Sequence, residues 1–336
     1  MQILLDSHFF YPSIGGVEMM TEGLARAWQS KGHQVCVTTK TSLDGHEEHE
    51  ALSVVRSPSP SRMGRLTRRA DVMVRSGNAL RSLPWPVLTN TALVTIHHRA
   101  LSRTHLGRTR SIVEKLSTYV GTNVAVSSAV APTIPGPVVQ IPNAFRPIFD
   151  QLDRNTSPRE GLLYVGRLVQ EKGVDVAIQA LSCLHERKRD ERLTICGDGP
   201  YRDKTERAVQ RMGLQNHVTF TGWASPSTLA ELYLGAEAVL VPSRRENFGL
   251  VALEAIASGC PVVASNVGGL PEAVGKCGVL VEPNSPVALA DGIEAVLQTS
   301  TKRSLRTEMS SHVGRHRMDR IATDYLHLLR RVACWK

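Results

Sequence analysis

Apolar and polar residues follow one another along this chain in blocks that favour strands and helices in turn. QILLD (2–6) is a short apolar run, and HQVCVTT (33–39) is another. Between them, GVEMMTEGLARAWQSKG places Val17, Met20, Leu24, Ala27 and Trp28 at helical spacing. Gly32 sits where a helix closes in a left-handed turn, so the three runs predict one β-α-β unit. SVVR, a helix over about 63–82, ALVTI, NVAVS and VVQIPN continue the alternation less regularly. The second half is cleaner. GLLYVG, RLTICG, HVTFTG, AVLVPS, CPVVAS and GVLVEP read as strands, with helices over 174–188, 200–212, 226–235 and 249–258 among them.

Strands that are apolar throughout, each separated from the next by a helix, belong to parallel sheets covered on both faces. Residues 143–160 are polar, rich in Pro and Asp, and without period, which predicts a boundary between domains. The expectation is an α/β protein of two doubly wound, Rossmann-like domains facing across a cleft. The first spans 1–146 and the second 147–314, and a C-terminal helix, 315–336, returns toward the first. A length of 336 residues agrees, since it exceeds what one core supports. Ligands in such sheets bind beyond the carboxyl ends of the strands, so the loops there are where chemistry is expected.

Composition narrows the class. Hydrophobic residues at 42% and aromatic residues at 5% describe a soluble globular protein. The start of the chain has no signal-peptide pattern, and no run approaches the roughly 18 apolar residues of a membrane span. Six cysteines without a C-x-x-C pair predict reduced thiols in a cytoplasmic protein. The net charge of +9 is concentrated: residues 51–120 hold twelve Lys or Arg against Asp71 and Glu114, and 12 − 2 = +10. A local field of that sign suits an anionic partner.

The loops carry the candidate groups. Gly15 and Gly16 precede the first helix, where free amides and the helix dipole favour an anion, although a plain tight turn fits equally well. Arg167 and Lys172 bracket the loop after GLLYVG as an anion clamp, if they converge, or as a solvated pair. In SRRENFGLVALEAIASG, Glu246 precedes a helix start and Glu254 lies within that helix, so the two carboxylates have separate roles. Glu254 stands among Val251, Ala252, Leu253, Ala255 and Ile256, a setting in which a carboxylate needs a partner.

Taken together and in order, PSIGGVE, VGRLVQEKG, GDGP, ENFGLVALE, EAIASGCPVVAS and NVGGLPEAV resemble the retaining nucleotide-sugar glycosyltransferases of family 4, which have the GT-B fold. The likeness is dense over 161–285 and sparse before that. It implies a hexosyltransferase that moves a hexose from a nucleoside-diphosphate sugar, with uridine the expected base, to an acceptor hydroxyl with retention of configuration. By the same resemblance Arg167 and Lys172 bind the donor diphosphate, with the Gly16 amide joining them, and Glu254 binds the ribose. Glu246 with Asn247, Phe248, Gly249 and Leu250 holds the donor sugar, and His97 lies against it, His98 being one residue away. No cofactor is implied. None of the twelve aspartates forms a D-x-D element, so no metal is expected, and His46-Glu47-Glu48-His49 reads as a polar loop.

The first half departs from the family: the stretch between SVVR and ALVTI is expected to lack a strand and a helix, and the acceptor is left open as a glycan, a lipid-linked molecule or a small molecule. Two other readings stay open, a nucleotide-sugar epimerase of related fold and a non-catalytic sugar-nucleotide-binding protein. A dinucleotide oxidoreductase is disfavoured, because no strand is followed by G-x-G-x-x-G, and no nucleic-acid partner is expected. Residues 61–82 read as one basic amphipathic helix, with Met63, Leu66, Ala70, Met73, Gly77 and Leu80 along one stripe and six arginines around it. It is either an ordinary sheet-covering helix or a peripheral contact with the membrane's inner face.

Overall fold

A computed structural model describes residues 1–12, 15–43, 52–77, 80–101, 108–151 and 158–334; the 46–49 loop lies outside them. The chain divides into two units: Met1–Ala144 with His316–Lys336, and Phe145–Arg315.

The first unit has seven strands, β1 (Gln2–Ser7), β2 (Gln34–Thr39), β3 (Ser53–Arg56), β4 (Val72–Ser76), β5 (Ala92–His97), β6 (Thr122–Ala125) and β7 (Val138–Gln140). All are parallel, in the order β3-β2-β1-β4-β5-β6-β7. The chain moves outward from β1 to β3 and then returns to β4, so the switch point lies between β1 and β4. There Ile3 faces Val35 on one side and Val72 on the other. Helices α1 (Gly16–Ser30), α2 (Pro60–Arg69), α3 (Pro84–Thr89) and α4 (Arg108–Ser117) lie between strands.

The second unit has six parallel strands, β8 (Leu162–Val165), β9 (Leu193–Cys196), β10 (Val218–Gly222), β11 (Ala238–Val241), β12 (Val262–Ser265) and β13 (Gly278–Val281), in the order β10-β9-β8-β11-β12-β13. Its switch point lies between β8 and β11. The helices are α5 (Val174–Glu186), α6 (Arg202–Arg211), α7 (Pro226–Gly235), α8 (Leu250–Ala257), α9 (Leu270–Val274), α10 (Pro286–Leu297) and α11 (Thr299–Arg315). The last helix, α12 (Met318–Ala333), belongs to the first unit. It buries Ile321, Tyr325, Leu326 and Leu329, and its Ala322 carbonyl accepts a hydrogen bond from the Trp28 indole at 3.1 Å.

Two expectations are corrected. Residues 61–82 are not one helix: α2 ends at Arg69, Ala70 is extended at φ −79° and ψ 140°, and β4 follows as a central strand buried at all five positions. The basic stripe therefore does not exist as a single face; Arg75 is 1% exposed inside the sheet, while Arg62, Arg65, Arg68 and Arg69 are exposed on α2. For the same reason the stretch between β3 and β5 does not lack a strand and a helix, since it contains α2, β4 and α3. Met63 and Met73, placed on one helical stripe by spacing, meet instead by packing α2 onto the sheet, with Leu4, Ala70 and Leu93.

Candidate functional site

The loops at the two switch points gather most of the sequence-derived candidates. In the second unit the chain leaves β8 through Gly166, Arg167 and Leu168, turns in a short 3-10 helix (Gln170–Lys172), and enters α5 at Gly173. Gly173 has φ +68°, and a Cβ there would stand 2.0 Å from the Pro242 carbonyl oxygen, so glycine is what lets α5 start against the exit of β11. The loop after β11 carries Ser243 to Gly249. Gly249 caps α8 without a side chain, and the first amides of α8 have no intrahelical acceptor, which leaves a positive helix end at the strand mouth.

Within this frame Lys172 and Glu246 meet: Nζ lies 2.5 Å from Oε2, with the side chains 30% and 15% exposed. The sequence reading gave the two separate tasks, one at a phosphate and one at a sugar, whereas here they form one ion pair. Arg167, the other cation of the expected clamp, is exposed and makes no side-chain hydrogen bond or ion pair with any described residue. Asn247 is exposed, Leu250 half-buried, and Phe248 and Gly249 buried.

Glu254 is 4% exposed on α8, and its need for a partner is met by Arg146. The guanidinium donates from Nε to Oε1 at 2.9 Å and from Nη2 to Oε2 at 3.1 Å, and the Tyr233 hydroxyl donates to Oε2 at 3.5 Å. Burial pushes the Glu254 carboxyl up, and Arg146 and Tyr233 pull it partway back. Arg146 also stacks over the Phe149 ring at 4.9 Å. Residues 145–149, expected to be part of a polar boundary loop, are thus anchored in the second unit by Phe145, Arg146 and Phe149. The signal was present as a lone cation in the apolar stretch IPNAFRPIF.

Arg244 was missed altogether. Its guanidinium grips Asp175, in the first turn of α5, with two bonds of 2.8 and 2.7 Å, and also donates to the Gln170 carbonyl at 2.8 Å and to Asn284 Oδ1 at 2.8 Å. Burial disfavours the Asp175 charge, but Arg244 outweighs it and holds the carboxyl below its ordinary value. The Arg244 amide donates to Glu171 O at 2.8 Å. One side chain therefore ties the loop bearing Lys172 to the loop bearing Glu246. On the far side, Gly269 N donates to Glu246 O at 3.1 Å, and a Cβ on Gly268 would lie 1.7 Å from that oxygen.

In the first unit the loop after β1 leads to Gly15 and Gly16; Ser13 and Ile14 lie outside the described residues. Gly15 caps α1 with no side-chain hydrogen bond. His97 ends β5 and is 2% exposed. Its Nε2 donates to Asn123 Oδ1 at 2.9 Å, since the Asn123 amide nitrogen is committed to the Thr118 and Pro137 carbonyls, and its Nδ1 has no hydrogen-bond partner among the described residues. Burial pushes its pKa down to about 4. His98 is half-buried, shares a 3.0 Å hydrogen bond with Ser76 Oγ, and is also pushed by burial to about 4. Both imidazoles are neutral near pH 7.

Among the described residues, the one group of three His, Cys, Asp or Glu side chains within ligand reach of one another is His185, Asp190 and His217. His185 lies in the last turn of α5, Asp190 follows that helix ahead of β9, and His217 immediately precedes β10, so the group is at the amino edge of the sheet, the opposite edge from the loops above.

Residues 148–312 match the sequence family Glycosyl transferases group 1. Over 148 residues the chain is 42% identical to a D-inositol 3-phosphate glycosyltransferase of Corynebacterium glutamicum, covering 42% of this chain and 35% of that protein. Over 144 residues it is 43% identical to a glycogen synthase of Mycobacterium tuberculosis, covering 42% and 34%. The chain thus spans only about a third of the length of these curated relatives. Similar solved structures cover nearly the whole chain at low identity. The Anabaena protein HepE in complex with UDP and glucose aligns with TM-score 0.80 at 20% identity over 98% of this chain and 99% of its own. A sucrose-phosphate synthase of Thermosynechococcus elongatus aligns with TM-score 0.79 at 23% identity over 100% of both.

Proposed function

With residues 148–312 forming a glycosyltransferase group 1 domain in a chain of GT-B fold, we propose that this protein transfers a hexose from a nucleoside-diphosphate sugar to an acceptor hydroxyl, with retention of configuration and without a metal ion. The observation that carries the reading is the Lys172–Glu246 pair at the β8/β11 switch point, braced by Arg244 beside the open start of α8.

In this reading the pair stands in the donor site. As the donor enters, Lys172 exchanges the Glu246 carboxylate for the diphosphate, and Glu246 is released to accept hydrogen bonds from sugar hydroxyls. Arg167, unpaired among the described residues, adds charge at the phosphates. Breaking the anomeric C–O bond leaves negative charge on the departing phosphate and cationic character on the sugar, and fixed cations and amides at the phosphate lower that barrier. The acceptor oxygen bonds to the anomeric carbon on the face the phosphate leaves, and its proton ends on the phosphate oxygen.

The Arg146–Glu254 pair is less exposed, and we assign Glu254 to the nucleoside end, a lone pair of Oε1 remaining for a ribose hydroxyl. In the first unit, Gly15 and Gly16 offer amides for ligand contact. Of the two histidines, His98 rather than His97 is the imidazole with access to solvent, a one-residue shift from the sequence assignment. HepE was solved with UDP and glucose, and one relative is named a D-inositol 3-phosphate glycosyltransferase; these support a uridine donor and a polyol acceptor as the first compounds to try.

The test is incubation with a panel of nucleotide sugars in EDTA, following nucleoside diphosphate release and sugar products. Release with a new glycoside supports the reading. Conversion to an epimeric nucleotide sugar would identify an epimerase instead, and loss of turnover in EDTA, restored by magnesium, would refute metal independence.

A further inference from the structure

α4 is amphipathic with its faces reversed. On it and the turn that follows, Glu114 and Thr118 are buried at 2% and 1% exposure, while Ile112, Val113, Leu116 and Tyr119 stand 58%, 42%, 62% and 64% exposed. The inward polar groups are satisfied: Glu114 Oε1 pairs with Arg99 at 3.3 Å, and Thr118 Oγ1 accepts from Gly136 N at 3.1 Å and donates to Lys115 O at 2.7 Å. Residues 112, 116 and 119 are spaced i, i+4 and i+7, so they share one helical face. An apolar stripe of this kind facing solvent marks a surface that another phase or molecule covers.

Charge selects the occupant. Between Asp71 and Asp150 the sequence contains one acidic residue, Glu114, and that one is buried and paired. Arg108, Arg110 and Lys115 lie on α4 itself. A second copy of the chain would bring these cations against their own kind. A nucleic acid would meet the cations but leave the aliphatic stripe without a partner. An anionic bilayer accepts both, with the aliphatic side chains at the acyl boundary and the cations among the headgroups. We propose that α4 is a membrane-contact surface that rests its Ile112, Leu116 and Tyr119 face on an anionic lipid bilayer. The proposal is independent of the transferase reading, and it moves the membrane contact away from α2, whose exposed arginines have no such stripe.

The experiment is flotation of the full chain with vesicles of phosphatidylcholine alone and of phosphatidylcholine with about a third phosphatidylglycerol, at low and high salt. The expected result is binding to the anionic vesicles, reduced by salt. It should fall at least about 10-fold when Ile112, Leu116 and Tyr119 become Ser, with the melting temperature unchanged. Arg65→Gln, Arg68→Gln and Arg69→Gln together should leave most of it. The proposal is overturned if the anionic vesicles do not bind, if the triple Ser variant binds equally, or if the α2 variant alone abolishes binding. It is also overturned if sedimentation shows a dimer that the triple Ser variant converts to monomer.

Discussion

Glu246 and Glu254 are eight residues apart and end in different electrostatic company, the first with a half-exposed lysine and the second with a guanidinium on a buried helix face. Their substitutions should separate accordingly. Glu254→Gln leaves Arg146 poorly compensated and should cost about 2 to 3 kcal/mol, the low end for breaking a buried pair because Arg146 keeps partial access to water. A thermal melt measures this, and an unchanged melting temperature would contradict the pair's structural weight. Glu246→Gln should leave the melt nearly unchanged. The sequence made two different surroundings legible through helix phase and apolar neighbours, but not the partners, because Arg146 lies 108 positions from Glu254 and the apolar stretch around it marks a buried cation without naming what it pairs with. The histidines supply a pH dependence. His97 and His98 titrate at about 4 in the folded chain and near 6.5 when unfolded, so below pH 6.5 the unfolded state takes up protons first. Stability should be full above pH 6.5 and fall toward pH 4, by up to about 1.4 kcal/mol per pH unit for each histidine. Urea melts at pH 7.5 and 5 should show a drop that His97→Gln with His98→Asn reduces; an equal drop in that variant would assign it elsewhere.

At the scale of elements, the second unit's strand mouths are held together by Arg244 and two glycines. Arg244→Ala should separate the 170–172 turn from the β11 loop, lower turnover and weaken donor binding together. Arg244→Lys should rescue little, because one ammonium cannot reproduce the paired bonds to Asp175. Steady-state kinetics of the two variants check this, and full activity in Arg244→Ala would show the clamp to be dispensable. Gly268→Ala forces backbone to move, since its φ is +56° and the new carbon would overlap Glu246 O. The elements of the second unit were readable because most of its strands are short apolar runs, several closed by Gly or Pro. β4 was not, because VMVRS is five residues long and its Met73 also fits a helical stripe with Leu66 and Ala70; only the pairing with β1 and β5 decides for a strand. α4 was unreadable for the opposite reason, its polar residues facing inward.

At the scale of the molecule, two parallel sheets were foreseeable from alternation and length, whereas their switch points at β1/β4 and β8/β11 were not, and the second unit's candidate site was nameable because its loops carry the charged residues themselves. The acceptor was not, since residues 51–120 declare a sign of charge without a shape. Saturation at 100 times the dissociation constant of a nucleoside diphosphate should stabilise the protein by about 2.7 kcal/mol, which a thermal-shift screen detects. The most direct test of the central claim is calorimetric titration of uridine diphosphate and of intact uridine-diphosphate sugars into the wild type, Lys172→Ala and Glu246→Gln. The account predicts that Lys172→Ala weakens both ligands and lowers turnover by roughly 100- to 1000-fold. Glu246→Gln should leave the diphosphate bound at least as tightly, since Lys172 no longer has a carboxylate to give up, and remove the additional affinity contributed by the sugar. Undiminished diphosphate binding and turnover in Lys172→Ala, or equal losses for both ligands in both variants, would contradict it.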